Sequence, residues 1–336
     1  MYSLKIKNLD GDYVEEITAW NDFSYWWELN RAGGCTVAFN IDDTKFDLDN
    51  FFPARHFIDI FRNNSKIWSG IYTVANGNID DITGILTAKF EGYLWLLKKM
   101  FISPSGKTFT SEDMGTILWT LIDDFQNLPN GDYGLTSGSI STGIDKDRTY
   151  APFKNVYDAF LQMSEVQNGA DFEITEDKVL NVYTSQGKRL NHVFEYGKNI
   201  ERITGFNINA NDLVNNAYAI GSGEGDDLLY SVAHDVQSQE LYGLMQDTRL
   251  HSDVVLIDTL TEHAKNWVDE YRNMVEIYAL DVKASPDPTL KSYGIGDEIR
   301  VVINKGYLNI DTYKRIKKLT VSVNSEGKET VSVEFL

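Results

Sequence analysis

Period-two alternation of apolar and polar side chains is what most limits the fold of this 336-residue chain. It fills both ends of the sequence and is broken at short intervals by turn residues, the signature of many short strands in a small barrel or sandwich. "YSLKIKNL" and "YVEEITAW" flank Asp10-Gly11, and Asp-Gly accepts the positive φ angles of a tight hairpin turn. "FSYWWELNRAGGCTVAFNID" reads as two strands around Gly33-Gly34. "HFIDIFRNNSKIWSGIYTVA" reads as a hairpin turning at Asn63-Asn64. "GILTAKFEGY" is a further strand running into a short apolar helical patch, "YLWLLKKM".

After Met100 the period changes. In "TFTSEDMGTILWTLIDDF", Met114, Ile117, Leu118, Leu121, Ile122 and Phe125 fall on one helical face. Thr110 and Asp113 have the spacing of a capping box, with Asp in place of Glu. "FKNVYDAFLQMSEVQNG" predicts a second helix, its buried stripe marked by Val156, Phe160, Met163 and Val166 and its C-cap by Gly169. "ADFEITEDKVLNVYTS" follows as a hairpin turning at Glu176-Asp177.

From about Leu190 the strands return, interrupted by one helix in "DTLTEHAKNWVDEYRN". The closing "ETVSVEFL" puts Val331, Val333 and Phe335 on one strand face. The two β regions share an outline of strand, polar turn at Asn63-Asn64 or Asn304-Lys305-Gly306, long strand and last strand, which points to duplication of one β domain. Within the second region, "AYAIGSGEGDDLLYSV" carries Gly221, Gly223 and Gly225. A dinucleotide loop needs G-x-G-x-x-G between a strand and a helix. Here the third glycine comes one residue early, and Leu228, Tyr230 and Val232 alternate as a strand, so the stretch reads as a strand–loop–strand connection.

A catalytic set is not evident. "SPSGKTFT" lacks the first P-loop glycine, its place being taken by Phe101. None of the five histidines lies in a metal-binding spacing, and His234-Asp235 reads as a surface pair and His263 as a helix-boundary residue. The one cysteine, Cys35, excludes an internal disulfide and reads as a small strand residue. The composition predicts no cofactor and no metal. With 42% hydrophobic and 24% charged residues the chain is ordinary for a folded soluble protein, and no apolar run approaches bilayer-spanning length or forms a signal-peptide core, so no membrane anchor is expected. The net charge of −19 disfavours broad binding to nucleic acid or anionic membranes. Five tryptophans, Trp20, Trp26, Trp27, Trp68 and Trp95, crowd the first hundred residues, where core packing and sugar stacking both remain open uses.

Several segments together resemble the tail-hub proteins of long-tailed phages, relatives of the baseplate hub of contractile-tailed phages and of the N-terminal hub part of tail-associated lysins. The matching stretches are "LNRAGGCTVAFNI", "IWSGIYTV", "FEGYLWLLKKMFI", "NVYDAFLQMSEVQNGADFEI" with "VLNVY", "NNAYAIGSGEG" and "YGIGDEIRVVI". Their order and spacing cover nearly the whole chain. Lysin-like members continue into further domains, for which this sequence has no room after Leu336.

The resemblance implies an α+β, mainly β fold, with two tube-like β-barrel domains, 1–99 and 191–336, flanking a small α+β insert, 100–190. It implies a structural, non-enzymatic virion protein of the bacteriophage tail tip, made in the bacterial host cytoplasm. It implies a homotrimer whose ring of six barrels joins the sixfold tail tube to the threefold tip. The partners would be distal-tail or tail-tube proteins and tip, fibre or receptor-binding proteins, with DNA passing through the channel without specific binding. Gly221, Gly223 and Gly225 become a hub hairpin loop, and acidic side chains are expected to face the lumen. The alternatives are a cell-wall- or glycan-processing enzyme, marked by two close carboxylates in a deep groove, and a carbohydrate-binding β module, marked by an exposed tryptophan cleft.

Overall fold

A computed structural model describes residues 1–17, 19–40, 51–79, 84–252, 254–273, 275–283, 288–306 and 308–336. The first β region consists of β1 (Tyr2–Lys7), β2 (Tyr13–Ile17), β3 (Asp22–Glu28), β4 (Arg31–Asn40), β5 (Phe57–Arg62), β6 (Ser65–Ile79) and β7 (Gly84–Glu91), followed by the 3-10 helix Tyr93–Lys99. Next come β8 (Lys107–Asp113), α1 (Met114–Gln126), β9 (Thr136–Ser137), β10 (Asp145–Tyr150), α2 (Val156–Ser164), β11 (Asp171–Ile174) and β12 (Val179–Tyr183). The last part holds β13 (Arg189–Glu195), β14 (Ile200–Asn209), β15 (Asn216–Ile220), β16 (Tyr230–His234), α3 (Val236–Tyr242), β17 (Gln246–Leu250) and α4 (Ile257–Tyr271). It closes with β18 (Val275–Val282), β19 (Glu298–Lys305), β20 (Leu308–Asn324) and β21 (Glu329–Phe335). The fold is α+β and mainly β.

The β regions do not form two closed barrels. They are one 13-stranded sheet ordered β14-β18-β21-β20-β3-β4-β7-β6-β5-β1-β2, with β13 and β19 attached through β20. The join is β20 against β3, antiparallel from Lys318 opposite Glu28 to Asn324 opposite Asp22. Alternation drives this: Val321, Val323, Val331, Val333, Tyr25 and Phe90 all point into a single core, and each is at most 1% exposed. Burying a side chain of this size contributes about 1.5–3 kcal/mol, so one shared core outweighs two separate small ones with more exposed rim. The curled sheet is bridged across its interior side by Arg62 of β5 and Glu329 of β21.

The duplication read from the sequence is visible in the connectivity. The spatial order β3-β4-β7-β6-β5-β1 recurs as β14-β18-β21-β20-β19-β13, in the same chain order. Each copy has one long strand with a bulge at the equivalent point: between Tyr72 and Val74 opposite Phe90 and Lys89, and between Ile316 and Lys318 opposite Phe335 and Glu334. The copies differ at one edge, where β1 runs antiparallel to β5 but β13 runs parallel to β19.

Four local readings need correction. Gly33-Gly34 does not turn the chain; the β3–β4 turn is at Leu29 and Asn30, whose φ is +56°, and both glycines lie inside β4. They are glycines because a Cβ on Gly34 would stand 2.3 Å from the Trp26 ring, and one on Gly33 2.5 Å from the Trp26 carbonyl oxygen. Thr110 does not cap α1, since it sits in β8; Asp113 is itself the N-cap, its side chain accepting from Gly115 N at 2.8 Å. Helix α2 stops at Ser164, and Asn168, not Gly169, takes the left-handed conformation with φ +53°. His263 is buried at 4% exposure, its ring stacked on His251 at 4.2 Å, because α4 packs that face onto β15 and β16. The turn at Asn63-Asn64 has both residues at positive φ, +50° and +64°, as its sequence requires.

Segment 107–183 builds its own core, in which Met114, Ile117, Leu118, Phe160, Phe172 and Leu180 meet Tyr93 and Leu97 of the 3-10 helix. Between β14 and β18 lies a second inserted unit that the sequence reading saw only in part. It is a three-stranded sheet, β16-β15-β17, backed by α4 and carrying α3.

Candidate assembly surfaces

The β20–β3 junction is reinforced by a polar network from four chain segments. Arg315 of β20 donates through Nη2 to Asp171 Oδ2 and, at 2.9 Å, to the Gln186 carbonyl oxygen. Asp171 also accepts from Asn30 Nδ2 at 2.8 Å and Gln186 N at 2.8 Å, and Asn30 Oδ1 accepts from Phe172 N at 2.9 Å. Gly187 and Gly296 make the close approach possible, because a Cβ on either would meet the other segment's backbone at 2.2–2.3 Å. The two inserted units are tied together as well. Glu262 of α4 accepts from Lys146 Nζ and, at 3.2 Å, from Arg148 Nη2; both cations lie on β10 and are buried.

Away from the core, the shared sheet presents rows of hydroxyls. One row crosses the junction as Thr330, Ser322, Ser24, Thr36 and Lys89 on five successive strands. Thr87, Thr320 and Ser332 share this face, with Asp22, Glu28 and Glu334 against Lys89 and Lys318.

Gly221, Gly223 and Gly225 lie in the connection between the antiparallel strands β15 and β16. Gly221 is buried, and a Cβ there would meet Leu260 at 2.7 Å. Gly223 and Gly225 have φ of +98° and +60°, and the short 3-10 turn Gly225–Asp227 leads back into β16. Glu224, Asp226 and Asp227 occupy the loop. The second inserted unit around it is unusual in what it exposes: Leu241 is 68% exposed, Leu244 60% and Leu250 72%, with Tyr230, Val236 and Val255 also open. Tyr230 and Leu250 flank Ile220 on one rung of its sheet. The sequence missed this surface because β17, "QDTRL", is exposed at every position and shows no alternation. Asp235, read as half of a surface pair, N-caps α3 through Ser238 N at 2.8 Å and accepts from Arg272 Nη1 at 2.9 Å.

Each of the seven tryptophans is buried or half-buried. A groove of about 400 Å³ beside Trp27 and Tyr293 holds Glu173 and Glu176. Glu173 is occupied there by Tyr183 Oη at 2.7 Å and Gln186 Nε2 at 3.1 Å. Burial pushes the Cys35 thiol well above its usual pKa, away from the thiolate form. Among the described residues no three His, Cys, Asp or Glu side chains are grouped to hold a metal, and no helix is long and apolar enough to cross a membrane.

No family model matches the chain, and no curated protein matches it in sequence. Solved structures do match. The 43 kDa tail protein of prophage MuSo2 from Shewanella oneidensis aligns over 100% of this chain and 98% of its own, with a TM-score of 0.71 at 10% identity. The chain has the prophage tail-protein fold. A tail protein from Neisseria meningitidis shares this tail-protein fold over 99% of this chain and 96% of its own, with a TM-score of 0.68 at 11% identity. The fold also extends to the c3393 protein of E. coli, a component of the type VI secretion system described as structurally similar to T4 bacteriophage tail proteins gp27 and gp5. That match covers 99% of this chain and 76% of the other, with a TM-score of 0.56 at 10% identity.

Proposed function

We propose that the protein is a structural component of a phage tail or tail-like particle, acting as a hub at the tail tip. It assembles as a homotrimer, and the two β units of each copy, 1–99 and 191–336, supply six similar sheet segments to one ring. The insert 100–190 and the exposed apolar unit around α3 and β17 sit outside that ring and meet tail-tube and tip proteins. The hydroxyl-rich face lines the channel, where uncharged side chains and a slight excess of acid let DNA pass without counterion-releasing contacts. The Gly221, Gly223 and Gly225 loop is a contact of the hub. The protein works by assembly and not by turnover.

The observation that carries this reading is the repeated strand order, joined edge to edge through β20 and β3. One chain already contains two similar units side by side, which is what lets a threefold assembly match a sixfold neighbour. Light scattering over a concentration series, with negative-stain imaging, tests it. A trimer with a central hole is the expected result. A strict monomer that binds glycans or cleaves peptidoglycan would overturn the reading.

A further inference from the structure

The groove beside Trp27 and Tyr293 contains a buried hydroxyl that no described residue engages. Tyr293 is 5% exposed, its ring set edge-on to Phe194 at 5.3 Å, and its Oη lacks a hydrogen-bond partner. A buried hydroxyl left unmatched costs free energy that a ligand bonding to it would recover. Burial raises the pKa of this phenol and the Arg62 charge opposes the rise, so Oη keeps its proton within electrostatic reach of the guanidinium. Arg62 gives Nε and Nη2 to Glu329, and its Nη1 makes no hydrogen bond to a described residue. Lys291 stands on the groove's lining, exposed and without an ion pair among the described residues.

The other walls are apolar or already satisfied. Tyr25, Trp27, Ile67, Leu290, Ile295 and Leu319 supply the apolar surface. Gly294 N donates to Asp297 Oδ2 at 2.9 Å, and the Gly294 carbonyl accepts from Asp297 N at 3.3 Å. Gln186 N is held by Asp171 and the Gln186 carbonyl by Arg315, while the Glu176 carbonyl accepts from Lys66 Nζ. A peptide would bury its amides against walls whose backbone groups are taken, whereas an apolar chain would lose nothing there. Among the lining charges, Glu173 is held by Tyr183 and Gln186, and Lys66 by Asp177. That leaves the Glu176 carboxylate against Lys291 and the free side of Arg62, a balance that favours an anionic head group. The volume of about 400 Å³ lies in the range of small-molecule sites.

We propose that this groove binds a fatty carboxylate, with its chain on Tyr25, Trp27 and Leu319 and its carboxylate at Tyr293 Oη, Arg62 Nη1 and Lys291. The site goes beyond the hub reading and does not depend on it. Its lining comes from β3, β6 and β20 and from the β11–β12 hairpin, so a bound chain braces both β units against the insert. Occupancy should therefore raise the melting temperature of the whole protein.

The test is calorimetric titration of the full chain with decanoate, beside octanoate, decanol and decyltrimethylammonium. Decanoate should bind roughly tenfold more tightly than octanoate, the worth of two buried methylenes. It should also bind about tenfold more tightly than the cationic analogue. Lys291→Ala and Tyr293→Phe should each weaken decanoate by roughly threefold to tenfold and leave decanol unchanged. Ile67→Trp, which fills the groove from a half-buried position, should abolish binding of both. Without ligand, Tyr293→Phe should melt no lower than the wild type, because its hydroxyl has no partner to lose. Absence of decanoate binding, or equal affinity for both charged head groups, would overturn the proposal. So would a lower melt for unliganded Tyr293→Phe. Loss of binding in Leu241→Glu with Leu250→Glu, but not in Ile67→Trp, would place the ligand on the second inserted unit and overturn it too.

Discussion

Arg62 and Glu329 form a two-pronged ion pair, with Nε and Nη2 each 2.6 Å from a different carboxylate oxygen. They are 267 residues apart and belong to different repeats. Tyr2 Oη adds a third donor to Glu329 at 2.7 Å. Burial alone would raise the Glu329 pKa, but the Arg62 and Tyr2 hydrogen bonds outweigh it and hold the carboxyl below its ordinary value.

A pH dependence follows from that pair. A carboxyl with a depressed folded-state pKa contributes its stability above the unfolded value, about 4.3, and loses it as pH falls through the folded value. Thermal melts below about pH 4 should show a steeper loss for the wild type than for Glu329→Gln. At neutral pH Arg62→Ala should cost about 2 kcal/mol, since the pair is only partly exposed. Equal acid sensitivity in both proteins would show that Glu329 is not the titrating link.

Glu262 should matter more than its partial exposure suggests. Lys146 and Arg148 are 8% and 7% exposed and share it as an anion, so Glu262→Ala leaves two buried cations without it. A loss of about 3 kcal/mol is expected. Hydrogen exchange should show α4 and β10 losing protection together. Loss confined to α4 would mean that the inserted units do not stabilise each other.

Asp113 caps α1 and also accepts from Thr142 N at 2.9 Å and Gly143 N at 2.7 Å, so it pins the loop leading to β10. Asp113→Ala should destabilise by about 1–2 kcal/mol in urea titrations, and Asp113→Asn by less, because the amide oxygen keeps part of the cap. Equal effects from both would assign the stabilisation to charge alone.

Leu241→Glu with Leu250→Glu probes the apolar surface of the second inserted unit. Both side chains are largely exposed, so stability should change by no more than about 0.5 kcal/mol each. Incorporation into particles, measured by co-sedimentation with tail proteins, should fall severalfold. Unchanged incorporation would remove this surface from the assembly contacts.

The β regions were legible because alternation is local: Val331, Val333 and Phe335 announce a strand with one buried face, and Asn63-Asn64 announces its own turn. What the sequence hid was non-local. Nothing in "LNIDTYKRIKKLTVSVN" shows that one strand will serve three neighbours and fuse two expected barrels into an open sheet. Gly33-Gly34 looks like a turn until the Trp26 ring is seen in the space a Cβ would need. Of the candidate surfaces, the sequence showed only that Gly221, Gly223 and Gly225 join two strands. The Asp171–Arg315 network joins residues 144 positions apart, and the exposed leucines around β17 follow no period.

The triple role of β20 also has a mechanical side. A pull that separates the first repeat from the second along the strand direction must break the β20–β3 hydrogen bonds together, in shear, and cannot peel them one at a time. Because the same strand anchors β19 and β21, slackening there would be felt in both halves of the chain at once. Heating or stretching should therefore find the two halves yielding in a single event.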